Sequence, residues 1–201
     1  MKKIKFPLFV LFIIFLFSTS YIYSQPSAIP KFSKKAKLLF PNSDFEHGNL
    51  DNWRAFGKAF LNQPTYGDNV LARESPKCAL PQGSWWVGSY ENYQGLPGQK
   101  AGDVQKNDAV GELISQTFII TTPYIGFLIS GGSKKTTAVR LIVNGSIVRE
   151  TSGQNNPLLV REFWDVKEFL NQPAIISIID NDKGAWGCIN VDDFRGYSVP
   201  D

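Results

Sequence analysis

The sequence predicts an all-β protein folded as an antiparallel sandwich. Three observations carry this. Short apolar runs recur through the second half of the chain, each broken by Gly, Asn or Asp. One pair of runs is joined by Asn144-Gly145, the strongest short hairpin signal a sequence offers. No amphipathic helical period lasts more than a few turns, and no internal repeat is present.

The chain opens with Lys2, Lys3 and Lys5, then an apolar run over residues 6–17, then small and polar residues up to Gln25. A basic start, an apolar centre and a small residue before a polar one describe an export signal, with cleavage after Ser24. The alternative is an uncleaved anchor, the one route by which this chain meets a membrane. The expected location is secreted, periplasmic or cell-surface. Residues 25–39 are rich in Pro, Ser and Lys and read as a flexible linker, so the sandwich is expected over 40–199.

Within it, His47-Gly48-Asn49 marks a turn, and residues 53–61 read as a strand with a bulge at Gly57. Residues 62–82 are loop-rich. Trp85 to Tyr90 is a strand, 94–108 a second long loop, and 110–120 a strand with Leu113, Phe118 and Ile120 apolar. Tyr124 to Gly132 follows. The hairpin over 138–148 places Asn144 and Gly145 in a type I′ turn. Residues 163–170 read as a strand running into a helical turn. The nearly unbroken apolar run 174–179 fits a strand buried on both faces. Residues 180–184 are a loop, and 188–197 close the sandwich.

Charge excludes one class of partner. The chain has 21 Lys+Arg and 18 Asp+Glu. Three of the lysines belong to the export signal, which holds no acid, so the remainder is 18 against 18. A neutral domain lacks the electrostatic footprint of a nucleic-acid binder. Two cysteines in an exported chain permit one bridge, Cys78 to Cys188, tying an early loop to the last strand. Neither has a partner at zinc spacing.

Catalytic signatures are weak. His47 is the sole histidine, with no Ser or Cys motif beside it, and no nucleophile elbow, His-Glu-x-x-His or phosphate loop is present. Aromatic residues say more. Trp85, Trp86, Tyr90, Tyr93 and Trp186 stand beside glycines and acids rather than inside long apolar runs. A sugar stacks its C–H face on a ring while carboxylates and amides bond its hydroxyls. Tyr90, Glu91, Asp180 and Trp186 are therefore the expected ligand contacts. One of Trp85 and Trp86 belongs to the core, since neighbours on a strand face opposite sides. Asp44 and Glu46, near the first strand, and Asp193, on the last, would gather hard oxygen ligands for a structural Ca²⁺ if those strands pair. No organic cofactor is indicated.

The order of motifs resembles the galactose-binding-like β-sandwich attached to levanases and related enzymes of glycoside hydrolase family 32. The residues that carry it are Phe45-Glu46-His47-Gly48, residues 111–120, residues 124–132, Val143-Asn144-Gly145, Trp164-Asp165-Val166, Ile178-Ile179-Asp180 and residues 184–192. It spans 44–197. It differs at Cys188, where that family usually has His, and at Ser130, which replaces the first Gly of a triplet. The resemblance implies a jelly roll that binds fructose-containing or other glycans. The function expected is a non-catalytic, lectin-like carbohydrate-binding protein. A structural or adhesive scaffold and, further off, a small glycosidase or lyase are the alternatives.

Overall fold

The computed structural model describes residues 36–198. The export signal expected over residues 1–24, and the expected linker up to residue 35, lie outside the described residues. The linker expected to reach Leu39 ends sooner, because Lys37–Leu38 form a strand, β1. After it come β2 (Trp53–Gly57), β3 (Thr65–Tyr66), a six-residue helix α1 (Asn69–Glu74) and β4 (Trp85–Gly88). Then follow β5 (Gly111–Ser115), β6 (Phe118–Ile119), β7 (Tyr124–Gly131), β8 (Thr137–Val143) and β9 (Ser146–Ser152). The chain closes with β10 (Asn156–Asp165), a 3₁₀ turn (Lys167–Phe169), β11 (Pro173–Asp180) and β12 (Ile189–Tyr197).

Two six-stranded antiparallel sheets result. One runs β10-β7-β12-β4-β3 with β1 on β12; the other runs β2-β5-β11-β8-β9 with β6 on β11. The strand that pairs with the last is β1, Lys37 opposite Gly196 and Leu38 opposite Arg195, whereas residues 44–46, expected near the first strand, form turns. The hairpin forms as expected, Asn144 and Gly145 both at positive φ (50° and 77°). The strand from Trp53 stops at Gly57, where the amides of Lys58 and Ala59 both donate to the Val110 carbonyl, the local widening that a bulge produces.

The period-two rule then sorts side chains into layers. Val87, Ile125, Phe127, Ile129, Ile189 and Val191 of one sheet meet Leu113, Val139, Leu141, Ile176 and Ile178 of the other. Each such side chain contributes about 1.5–3 kcal/mol when fully buried. Trp53, Phe45 and Phe194 close one end of this layer with rings 5.0–6.4 Å apart. Trp86 points to the opposite face of its sheet and is fully buried there against Val70, Ala79 and Leu159. The strand of residues 173–180 is less enclosed than its composition suggests: Ile175 and Ile179 are half-buried on its outer side. The small outer cluster around Trp86 matters most for function, because it seats α1 on the sheet and so builds one wall of a cavity.

Candidate functional site

Asp68 starts α1 by accepting from the Leu71 amide at 3.0 Å, and the same carboxylate accepts from the Ala79 and Leu80 amides. An N-cap of this kind fixes a helix too short to persist alone. With Val70 buried beneath it, Arg73 is aimed at Glu91. The two form a bidentate pair at 2.6 and 2.8 Å, and Asn69 adds a third bond to Glu91 at 2.6 Å. The Arg73 guanidinium also lies over the Tyr90 ring, 5.4 Å from its centroid.

A second wall comes from the loop between β11 and β12. The Asp182 carboxylate holds the Gly184 amide at 2.7 Å and binds Lys134 and Thr136. Gly131 and Gly132 let this loop approach. A side chain on Gly132 would stand 2.1 Å from the Trp186 carbonyl, and one on Gly131 2.5 Å from that of Cys188. The loop raises Trp186, at φ 58° and 41% exposed, beside the helix.

Between the walls is a cavity of about 250 Å³. Val70, Arg73, Glu74 and Lys77 line one side, Tyr90, Glu91 and Asn107 the base, and Pro157, Trp186, Cys188 and Asn190 the other. Three of its polar atoms have no hydrogen-bond partner: Arg73 Nε, Asn107 Oδ1 and Asn190 Oδ1. Buried polar groups are ordinarily satisfied, so three orphans around one cavity mark a place for a ligand.

Of the expected contacts, Tyr90, Glu91 and Trp186 do meet at this cavity. Glu91 is 1% exposed and its carboxylate is engaged by Arg73 and Asn69, so it orients the arginine. Asp180 is not on the lining. It shares the inward face of its strand with Ile176 and Ile178 and is 1% exposed. Burial raises its pKa to about 6, against the opposing bonds from Ser89 and the Asp182 amide. One Asp180 oxygen has no partner. Arg73, Asn107 and Asn190 are site residues that sequence reasoning did not name.

The expected disulfide is corrected. Cys78 and Cys188 are both free thiols. Cys188 faces the cavity, which Cys78 does not line, and the Asp68 bonds fix the chain just after Cys78 in its own loop. Burial, then the charges of Asp180 and Glu91, push the Cys188 thiol up to about 12.

The expected Ca²⁺ set is corrected too. Asp44 pairs with Arg195 at 3.2 Å, and Asp193 with both Arg161 and Arg195. Two of the three acids are thus neutralised by arginines. Among the described residues no group of three or more His, Cys, Asp or Glu is placed to hold a metal. Asp192 and Asp193 are neighbours on the last strand, beside a register shift between Asp192 and Arg195, and they meet different surroundings. Asp192 is fully buried, one oxygen accepts from the Gln82 amide at 2.7 Å, and the other is unpartnered. Burial first, then the charges of Asp193 and Glu46, hold its pKa well above the usual range. Glu46 grips the same turn through the Ser84 and Trp85 amides, each at 2.9 Å.

Comparison with known proteins agrees with this fold. No family model matches the chain. The structure of TmCBM61 in complex with β-1,4-galactotriose superposes with a TM-score of 0.50 over 79% of this chain and 97% of that one, at 17% identity. This protein is a two-sheet antiparallel β-sandwich of jelly-roll type. A cyclase from Fischerella sp. TAU superposes at 0.47 over 80% of this chain and 95% of that one, with 14% identity. By sequence, 83 residues are 46% identical to a protein of Aspergillus rugulosus named as a glycosyl hydrolase, ecdE. That stretch is 41% of this chain and 12% of the fungal protein.

Proposed function

We propose that this is an exported, non-catalytic carbohydrate-binding protein whose sugar seats in the cavity between α1 and the Trp186 loop. The observation that carries the reading is the meeting of three unpartnered polar atoms with a half-exposed indole on one concave surface. A sugar ring lays its C–H face on Trp186, and its hydroxyls satisfy Asn107, Asn190 and Arg73. The volume lies just below the roughly 300–1,000 Å³ of drug-sized ligand sites, which suits one ring. TmCBM61, solved with a galactotriose, supports a glycan as ligand. The stretch shared with a protein named as a glycosyl hydrolase supports an association with sugar chemistry.

A glycan array with the protein, followed by calorimetry on the best ligand, tests the sugar reading. Trp186→Ala is expected to weaken binding by about 1–3 kcal/mol, the scale of a buried aromatic contact, with the fold intact because the ring is half-exposed. Binding to no glycan would favour a scaffold, and turnover of the sugar would favour an enzyme.

A further inference from the structure

The unpartnered atoms also specify which kind of sugar the cavity accepts, granted that it binds a sugar at all. Asn107 donates its amide N–H to the Gly184 carbonyl at 2.8 Å. A carbonyl only accepts, so the amino end of Asn107 faces Gly184 and its oxygen is the atom left without a partner. Asn190 is fixed by a longer chain. Ser130 gives its hydroxyl proton to the Pro157 carbonyl at 2.9 Å, so it can only accept from Asn190, whose Nδ2 lies 2.9 Å away. The oxygen of Asn190 is again the atom left over. The protein's own hydrogen bonds thus present two amide oxygens to a ligand, and both require a donor.

Charge in the same cavity is already paired. Both terminal nitrogens of Arg73 are taken by Glu91, and Lys77 sits 3.0 Å from Glu74. The four charged side chains on the lining sum to zero, two cations against two carboxylates. The donor left over is Arg73 Nε, with Glu74 Oε1 standing 3.4 Å from it. An anionic group placed here would face two amide oxygens and two carboxylates, while every cation is engaged. Desolvating such a group without a partner is costly. A hydroxyl, by contrast, donates to an amide oxygen and accepts from Nε at no charge cost.

We propose that the cavity selects an uncharged sugar with at least two hydroxyls donating to Asn107 and Asn190, and rejects uronic acids and sulfated or phosphorylated sugars. Arg73, the obvious anion anchor by residue type, is disarmed by Glu91 and acts as a rigid wall and single donor.

Competition calorimetry with the wild-type protein tests this, against whichever glycan binds first. The competitors are galactose, fructose and glucose, then galacturonic acid, galactose 6-sulfate and galactosamine. At least one neutral sugar is expected to compete, with its acidic counterparts at least tenfold weaker. Its affinity should also stay within twofold between 50 and 500 mM salt, because no ligand charge is there to be screened. Equal or tighter binding of the acidic sugars, or a steep loss of affinity with salt, overturns the proposal while leaving a carbohydrate-binding protein. Tighter binding of galactosamine overturns it as well, since the site would then be reading a cation. If no sugar on the array or in the panel binds, the carbohydrate reading itself falls, and the selectivity with it.

Discussion

Asp180 offers the most quantitative test of the interior. Its carboxyl is raised from 3.8 to about 6, first by burial, with Asp182 adding like charge. A rise of this size corresponds to about 3 kcal/mol. The sign follows from linkage. In the folded state this acid holds its proton up to about pH 6, whereas the unfolded chain loses it near pH 4. The folded state therefore binds more protons between these values, and stability falls as pH rises through the window. Above pH 6 the ionised, half-unpartnered carboxylate costs the fold about 3 kcal/mol relative to its neutral form. Asp180→Asn keeps the shape and an oxygen for the Ser89 hydroxyl but cannot ionise. Urea unfolding of both proteins at steps from pH 3.5 to 8 reads the outcome. The wild type should lose about 3 kcal/mol against the variant between pH 3.5 and 7.5, mostly between pH 4 and 6. A fixed offset from an unpaired Asn amino group shifts the whole curve and leaves that difference intact. A wild-type-minus-variant curve that is flat with pH would refute the assignment of a neutral, buried carboxyl.

Glu91→Ala strands the partly buried Arg73 and should cost about 3–5 kcal/mol by denaturant unfolding, together with most sugar affinity; a loss under 1 kcal/mol would contradict the structural weight given to the pair. Thiol titration of denatured, unreduced protein should find two free thiols. In the native protein Cys188 should react far more slowly than Cys78, as its raised pKa demands; equal rates would contradict its burial.

Local signals in the sequence carried most of the fold. Alternation identified the strands because a side chain's face depends only on parity. Asn144-Gly145 fixed its hairpin because few pairs tolerate two positive φ values. The site was legible in part. Trp186 and Tyr90 stood out as aromatics in loops, and both meet at the cavity. Asp180 heads a loop-like stretch, yet Ile176, Ile178 and Asp180 share one parity, which points its side chain inward. The short helix escaped notice because six residues show no period, yet Gly67-Asp68 before Val70 was a readable cap. Glu91 could not be recognised as occupied, since its arginine lies 18 residues away across a loop. The register shift after Asp192 is equally hidden in the sequence.

The cavity walls come from five stretches of chain, near residues 70–77, 90–91, 107, 157 and 186–190, brought together by both ends of the sandwich strands. No segment holds enough of the site to recognise anything alone. Occupancy and folding therefore form one thermodynamic cycle: a ligand that meets only the folded chain must hold that chain folded, by about 2.7 kcal/mol at a hundredfold excess over its Kd. Melting curves thus become a detector of the natural ligand that needs neither a label nor a guess at the sugar. Any compound that raises the transition of the wild type, and fails to raise that of Trp186→Ala, reports itself as an occupant of this cavity.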